Sequence, residues 1–398
     1  MISSARKVFN EQFSAEKYQH FLKILQEDLK DDVAFRVAET PVFISKDLKE
    51  KLVLAGEEIL KTILDPGFKN LTKRAIPKKW EVANETEHPH FIALDFAICK
   101  DENEQIIPKL IELQGFPSLY GFQSFLGDCY QEAYNLSDKR SIYFSGLDKD
   151  SYLALLKRTI VGPYQPEEVV LMDVDALHQK TAVDFFITQK QLGIPIIPLE
   201  DLKLEGKKLY YLLGEQKIFI NRIYNRLIFD EIDTDPNIFD KVVDIRQDLD
   251  VEWITHPNWF YRISKFTMPF LHSEFVPKTW FLNELPSAPK NLEDFVLKPL
   301  FSFAGQGVII DVKEADIQAI PDPENWILQE KVIYEPIVQA PDGGVKCEIR
   351  ILYLWPEEDK QPTLAINLSR LSRGKMIGVR YNKDFDWVGG TVAFFPKR

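Results

Sequence analysis

The sequence predicts a mixed α/β and α+β fold, on three observations. Val169-Val170-Leu171-Met172-Asp173 is followed by a helical segment through Phe185, Phe186 and Leu192, and then by Gly193-Ile194-Pro195-Ile196-Ile197. Strand, helix and strand in that order, with glycine at the helix end, mark a βαβ unit and a parallel sheet. Two short apolar runs, Phe91 to Ile98 (FIALDFAI) and Lys109 to Gln114 (KLIELQ), flank the polar KDENEQIIP and read as neighbouring antiparallel strands. Late in the chain, Phe295 to Lys298, Gly307 to Val312, Trp326 to Val332 and Cys347 to Leu354 are β-branched or aromatic and strand-like.

The elements fall into three parts. In residues 1–150, helical spacing places Phe13, Tyr18, Phe21, Leu22 and Ile24 on one side of a helix and Leu48, Leu52, Leu54, Ile59 and Leu60 on another, before the antiparallel pair. Residues 151–250 hold the βαβ unit, which a third strand from Lys217 to Tyr224 is expected to join. An acidic, turn-rich stretch from Asp230 to Asp250 closes that part, and residues 251–398 form the α+β remainder.

Composition narrows the function. With 45% apolar and 28% charged residues over 398 positions, the chain is expected to be globular with two or three domains. A formal net charge of -12 leaves no cationic excess to neutralise a phosphate backbone, which argues against nucleic acid as principal partner. Cys99, Cys129 and Cys347 are widely spaced and make no C-x-x-C pair, so they read as buried apolar residues. No apolar leader opens the chain and no long uncharged apolar run occurs, so a cytoplasmic protein without a membrane span is expected. The sequence carries no mark of oligomeric state.

Two groups of residues carry chemistry. Lys298 closes a strand and is followed by Ser302-Phe303-Ala304-Gly305-Gln306-Gly307, the form in which an ammonium holds one phosphate while backbone N–H groups wrap the next. Glu348 and Arg350 lie two apart on a strand and share a face, as do Glu112 and Gln114. Asp95 on the adjacent strand is placed to meet Glu112 and Gln114, giving hard oxygen ligands of the kind magnesium prefers. Asn367, Arg370, Arg373 and Gly374 form a basic segment suited to anions, with the inward-facing arginine left open. His88 and His90 flank a proline and read as exposed loop residues rather than metal ligands.

The late segment resembles the ATP-grasp superfamily. Lys265, in HPNWFYRISK, stands where that superfamily places its first ATP-contacting lysine, and Lys298 where it places the second. VPKTWFL matches the strand between them, with Lys278 a competing candidate best read as a solvated residue. By the same resemblance Ser302, Gly305 and Gly307 belong to the loop over the phosphates. Gln329, Glu330 and Val332 lie at the hinge that reads the adenine edge, and Glu335 is placed to accept the ribose hydroxyls. Arg350 meets the phosphates or an acyl phosphate.

In the unpermuted superfamily the metal-binding acids follow the arginine strand, but nothing of that form follows Arg373. Asp95…Glu112-Leu113-Gln114-Gly115-Phe116-Pro117-Ser118 instead lies early, similar to the D…E-F-N-x-x-x-P-[ST] pattern of glutathionylspermidine synthetase-like ligases, with one residue fewer before the proline. RIYNRL, Arg222 to Leu227, is similar to a strand end of those families. The resemblance implies an ATP-grasp fold in circularly permuted order with an inserted βαβ domain. It also implies ATP and Mg2+ as cofactors and a carboxylate-amine ligase working on small molecules through an acyl phosphate, with Lys298 and Arg350 catalytic and Asp95, Glu112 and Gln114 on the metal. Two departures stand out: Gln114 replaces asparagine, and Ala93 replaces an arginine thought to face the acyl phosphate. They leave open an ATP-binding protein without turnover, and the same cradle would also serve a small-molecule kinase. A dehydrogenase is disfavoured because no G-x-G-x-x-G follows Met172. Tyr120, Gln123, Tyr224 and Arg226 are candidates for substrate contact.

Overall fold

The computed structural model describes residues 1–27, 29, 33–232, 238–285, 287, 289–301, 307–374, 382 and 384–397. Its helices α1 (Ser3–Gln12), α2 (Ala15–Glu27) and α3 (Lys46–Ile63) precede the strands β1 (Phe91–Lys100) and β2 (Ile106–Gln114), which pair antiparallel. Helix α3 is capped by the Ser45 hydroxyl, which accepts from Leu48 N–H. It buries Leu48, Leu52, Ile59 and Leu60, whereas Leu54, expected on that side, is 45% exposed.

Helix α4 (Tyr120–Tyr134) leads to the parallel unit of β3 (Val169–Asp173), helix α5 (Ala182–Leu192) and β4 (Ile196–Pro198). Strand β5 (Arg222–Asn225) joins β3 in parallel, and β6 (Glu252–Ile254) joins β5, giving the order β6–β5–β3–β4. The expected third strand from Lys217 to Tyr224 divides. Gln216–Phe219 turns back on Lys208–Leu213 in a hairpin, and only Arg222 onward enters the parallel sheet. The buried Asp184 of α5 ties this unit to α4: its carboxylate accepts from the N–H groups of Leu119 (3.1 Å) and Phe122 (3.0 Å) and pairs with Arg226 at 2.5 Å.

A short helix, α5's successor α6 (Pro257–Arg262), leads into a three-stranded antiparallel sheet of β7 (Thr279–Phe281), β8 (Phe295–Pro299) and β9 (Trp326–Glu330), in the order β7–β9–β8. Gly307 to Val312, expected as a strand, contributes one isolated bridge from Ile309 to Leu297. Strands β10 (Gly343–Leu354), β11 (Thr363–Ser372) and β12 (Gly389–Thr391) then complete the largest sheet with the early pair, in the order β12–β11–β10–β1–β2. Early and late segments thus share one sheet, with β1 directly against β10.

Period two decides which side chains face the cleft between the two antiparallel sheets. A Cβ at Gly56 of α3 would lie within 3.0 Å of Ile351 and closer still to the Tyr353 hydroxyl, so Ile351 and Tyr353 face the helix. Leu94, opposite Ile351, and Phe96 share that face. Asp95, Arg350 and Glu348 therefore point the other way, toward the cleft. In β2 the pairing skips Ile111: Asp95 faces Glu112 but Phe96 faces Leu110. This bulge returns Leu110 to the helix-covered side and leaves the Ile111 carbonyl open to the cleft.

Gly115 ends β2 where α6 passes close by. Its N–H donates to Ile263 O at 2.9 Å, and a Cβ there would lie 2.5 Å from Trp259 O. Gly115→Ala is expected to push the 259–263 segment outward and destabilise the chain by about 1–3 kcal/mol, seen as a lower urea midpoint at unchanged m-value.

Candidate active site

Three adjacent strands place opposite charges side by side on the cleft face. Arg350 of β10 is directly opposite Asp95 of β1, and its Nε and Nη2 both donate to that carboxylate, Nη2 to Oδ2 at 2.6 Å. Arg370 of β11 is directly opposite Glu348 of β10, donates to it and also reaches Asp95 Oδ2 at 3.0 Å. The Tyr334 hydroxyl donates to Glu348 Oε2 at 3.2 Å. Asp95 and Glu348 are 2% and 4% exposed, so each needs its cation to be tolerated as an ion.

The two acids respond in opposite directions. Burial alone would raise Asp95, but Arg350 and Arg370 together outweigh it and hold the carboxyl below its ordinary range. For Glu348 burial prevails over Arg370, with the charge of Asp95 adding to it, and the carboxyl is raised.

Lys298 enters from the smaller sheet. Its Nζ donates to Gln329 Oε1 at 2.6 Å and reaches across the cleft to Ile111 O at 3.4 Å. Gln329 is buried, and its Nε2 donates to Thr279 Oγ1 at 3.0 Å, so residues of β7, β8 and β9 fix the lysine in sequence. Burial lowers Lys298 to about 8; Glu112 and Glu348 oppose the shift and Lys265 adds to it. The side chain is half-buried, so contact with water softens that shift.

Glu112 and Gln114 lie beside this group and differ from Asp95 in being open. Both are half-buried, and among the described residues neither side chain makes a hydrogen bond or ion pair. They line a cavity with Lys265, which is 8% exposed at the start of a 3-10 turn capped by the Ser264 hydroxyl. Among the described residues no three His, Cys, Asp or Glu side chains converge as a metal cluster.

The remaining expected residues scatter. Lys278 has a side chain 74% exposed beside Glu330, away from the cavity lining. Glu330 accepts from Lys278 N–H at 3.0 Å, and Glu335 pairs with Lys100 at 3.3 Å while its N–H holds Ile98 O. The N–H groups of Val332 and Ile333 donate to no acceptor among the described residues, which leaves polar backbone free along the linker from β9 toward β10. Gly307 is described, with φ +74, whereas Ser302 and Gly305 lie outside the described residues. Of the two arginines left open, Arg370 joins the charged row and Arg373 pairs with Asp342.

Tyr120, Gln123, Tyr224 and Arg226 are all buried. Tyr120 donates to Ile92 O and Tyr353 O, which places it in the packing behind the sheet. His90, expected on an exposed loop, is fully buried and pairs with Glu357 at 2.8 Å, while His88 stacks on Trp355 at 3.9 Å. Cys99, Cys129 and Cys347 are buried and form no disulfide among the described residues. No described helix is long and apolar enough to cross a membrane.

No protein-family model matches the chain, and no curated protein does. Among solved structures the chain is similar to a glutathione synthetase-like effector from Globodera pallida in its apo form. The TM-score is 0.61 at 12% identity, over 96% of each chain. The chain shares its fold with that effector. The likeness runs the length of both chains, so it takes in the parallel sheet as well as the two antiparallel sheets around the cleft.

The charged row divides its acids into two kinds, which makes them separable by mutation. Asp95→Asn leaves Arg350 without its counter-ion and is expected to cost about 3–5 kcal/mol, whereas Glu112→Gln, which breaks no pair, should stay within about 0.5 kcal/mol of the parent. Because Asp95 is depressed in the folded chain, its contribution is present above the ordinary carboxylate range and is lost as pH falls through the folded value. Urea unfolding at pH 7 checks the first statement, and a series carried below the ordinary carboxylate range, to about pH 2, checks the second.

Proposed function

We propose that the chain is an ATP- and magnesium-dependent carboxylate-amine ligase of the ATP-grasp type, its parts in circularly permuted order. The observation that carries this reading is the convergence on one cleft of Lys298 from the smaller sheet and Arg350, Arg370, Glu112 and Gln114 from the larger. Four cations, counting Lys265, face three acids there, a surplus suited to a triphosphate. The fold shared with the glutathione synthetase-like effector supports the same class.

The residues present fit magnesium in part. That ion needs one or two protein oxygens besides phosphate and water, and the Glu112 carboxylate and Gln114 amide supply two open ones. Asp95 is a poor third, since both its oxygens already accept from guanidinium groups. When bound, magnesium would neutralise phosphate charge. Lys298, held by Gln329, would orient the phosphates, and the open N–H groups of Val332 and Ile333 would meet the adenine edge. Arg350 and Arg370 would stabilise charge as a substrate carboxylate oxygen bonds to the γ-phosphorus and ADP leaves. An amine then attacks the acyl carbon, losing a proton as phosphate departs.

The engagement of Asp95 favours one other reading, a nucleotide-binding protein without turnover. Phosphate release from ATP in the presence of candidate acids and amines separates the two, and its absence across a broad panel would leave only binding.

The state of Lys298 sets a pH dependence. Its ammonium is the form a phosphate prefers and is lost as pH rises through about 8, so ATP affinity should weaken above that value, approaching about tenfold per pH unit. Calorimetric titration between pH 6.5 and 9.5 should show this weakening with proton uptake near pH 8. Lys298→Met should bind ATP weakly with neither effect.

A further inference from the structure

Beside the charged face the cavity changes character. Its volume is about 80 Å³ and its mouth is open to solvent, with Glu112, Gln114 and Lys265 on one side of it. Phe116, Phe260, Tyr261, Ile263 and Phe301 wall the rest. The Phe116 and Phe260 rings meet edge to face at 5.5 Å, and Phe260 meets Tyr261 in the same way at 5.2 Å. Phe301 is 38% exposed, an apolar ring left partly in water at the cavity's edge.

We infer that the acid taken by this site carries an aromatic or branched apolar group, seated against these rings with its carboxylate directed to Lys265. A peptide-like acid would bring amide groups against a wall with few partners for them, which disfavours it more than a ring of similar size. A protonated amine in the same place would meet Lys265 as a like charge, because Glu112 is committed with Gln114 to the metal in the ligase reading. The inference rests on that reading for the fate of the carboxylate and on the cavity alone for the ring.

The test compares 3-phenylpropanoate with N-acetylglycylglycine, a polar acid of similar length, by calorimetry on the full chain, first without nucleotide and then with ATP, magnesium and hydroxylamine to trap an acyl phosphate as hydroxamate. Phenylpropanoate should bind at least about tenfold tighter. Phe260→Ala and the surface variant Phe301→Ser should bring the two acids close to parity. Tighter binding of the peptide acid, or a ring preference that survives both variants, overturns the inference. Hydroxamate from the peptide acid alone would sink it while keeping the ligase reading. A ring preference without hydroxamate from either acid would keep the apolar site and sink the ligase reading.

Discussion

Charge pairing across neighbouring strands is the constraint on which the cleft depends. The larger sheet buries Asp95, Glu348 and Arg350 almost completely, and none of these ions would be tolerated there alone. Directly opposed positions on antiparallel strands solve the difficulty, because Arg350 meets Asp95 and Arg370 meets Glu348 without any loop having to hold them. The rigidity of the sheet then passes to the guanidinium groups, which stand at fixed positions before any ligand arrives.

Two local irregularities adapt that sheet to its partner. The bulge at Ile111 turns one carbonyl toward Lys298, and the missing side chain at Gly115 lets the segment carrying Lys265 pass against the strand end. Both lie within a few residues of Glu112 and Gln114. Regular pairing up to Gln114 without the bulge would put Leu110 on the charged face and Ile111 against the helices.

Much of this was legible because strands alternate. Glu112 with Gln114 and Glu348 with Arg350 share faces by spacing alone, and the antiparallel pairing of Phe91–Ile98 with Lys109–Gln114 followed from the turn between them. The βαβ unit was equally plain from Gly193 and the flanking apolar runs. What spacing could not reveal was register. Choosing Arg370 over Arg373 requires knowing which residue of β11 faces Glu348, and placing two guanidinium groups on Asp95 requires knowing that β10 lies beside β1. The run from Lys217 to Tyr224 is apolar enough to read as one strand, and only Asn221 hints at the break. The apolar cavity was invisible for another reason: Phe116 and Phe260 are distant in sequence, and nothing local marks either as a wall.

One face of the smaller sheet has its own modest core of Leu282, Leu297, Val312 and Leu328, while Phe281 and Ile327 of the same sheet belong to the large apolar core. Few apolar contacts mean a low free energy of local opening, so amide exchange there should outpace that of β1 and β10. A ligand gripping Lys298 on one side and Arg350 on the other would lend the weaker layer the firmness of the stronger, and its occupancy would be recorded as slowed exchange in β8 and β9.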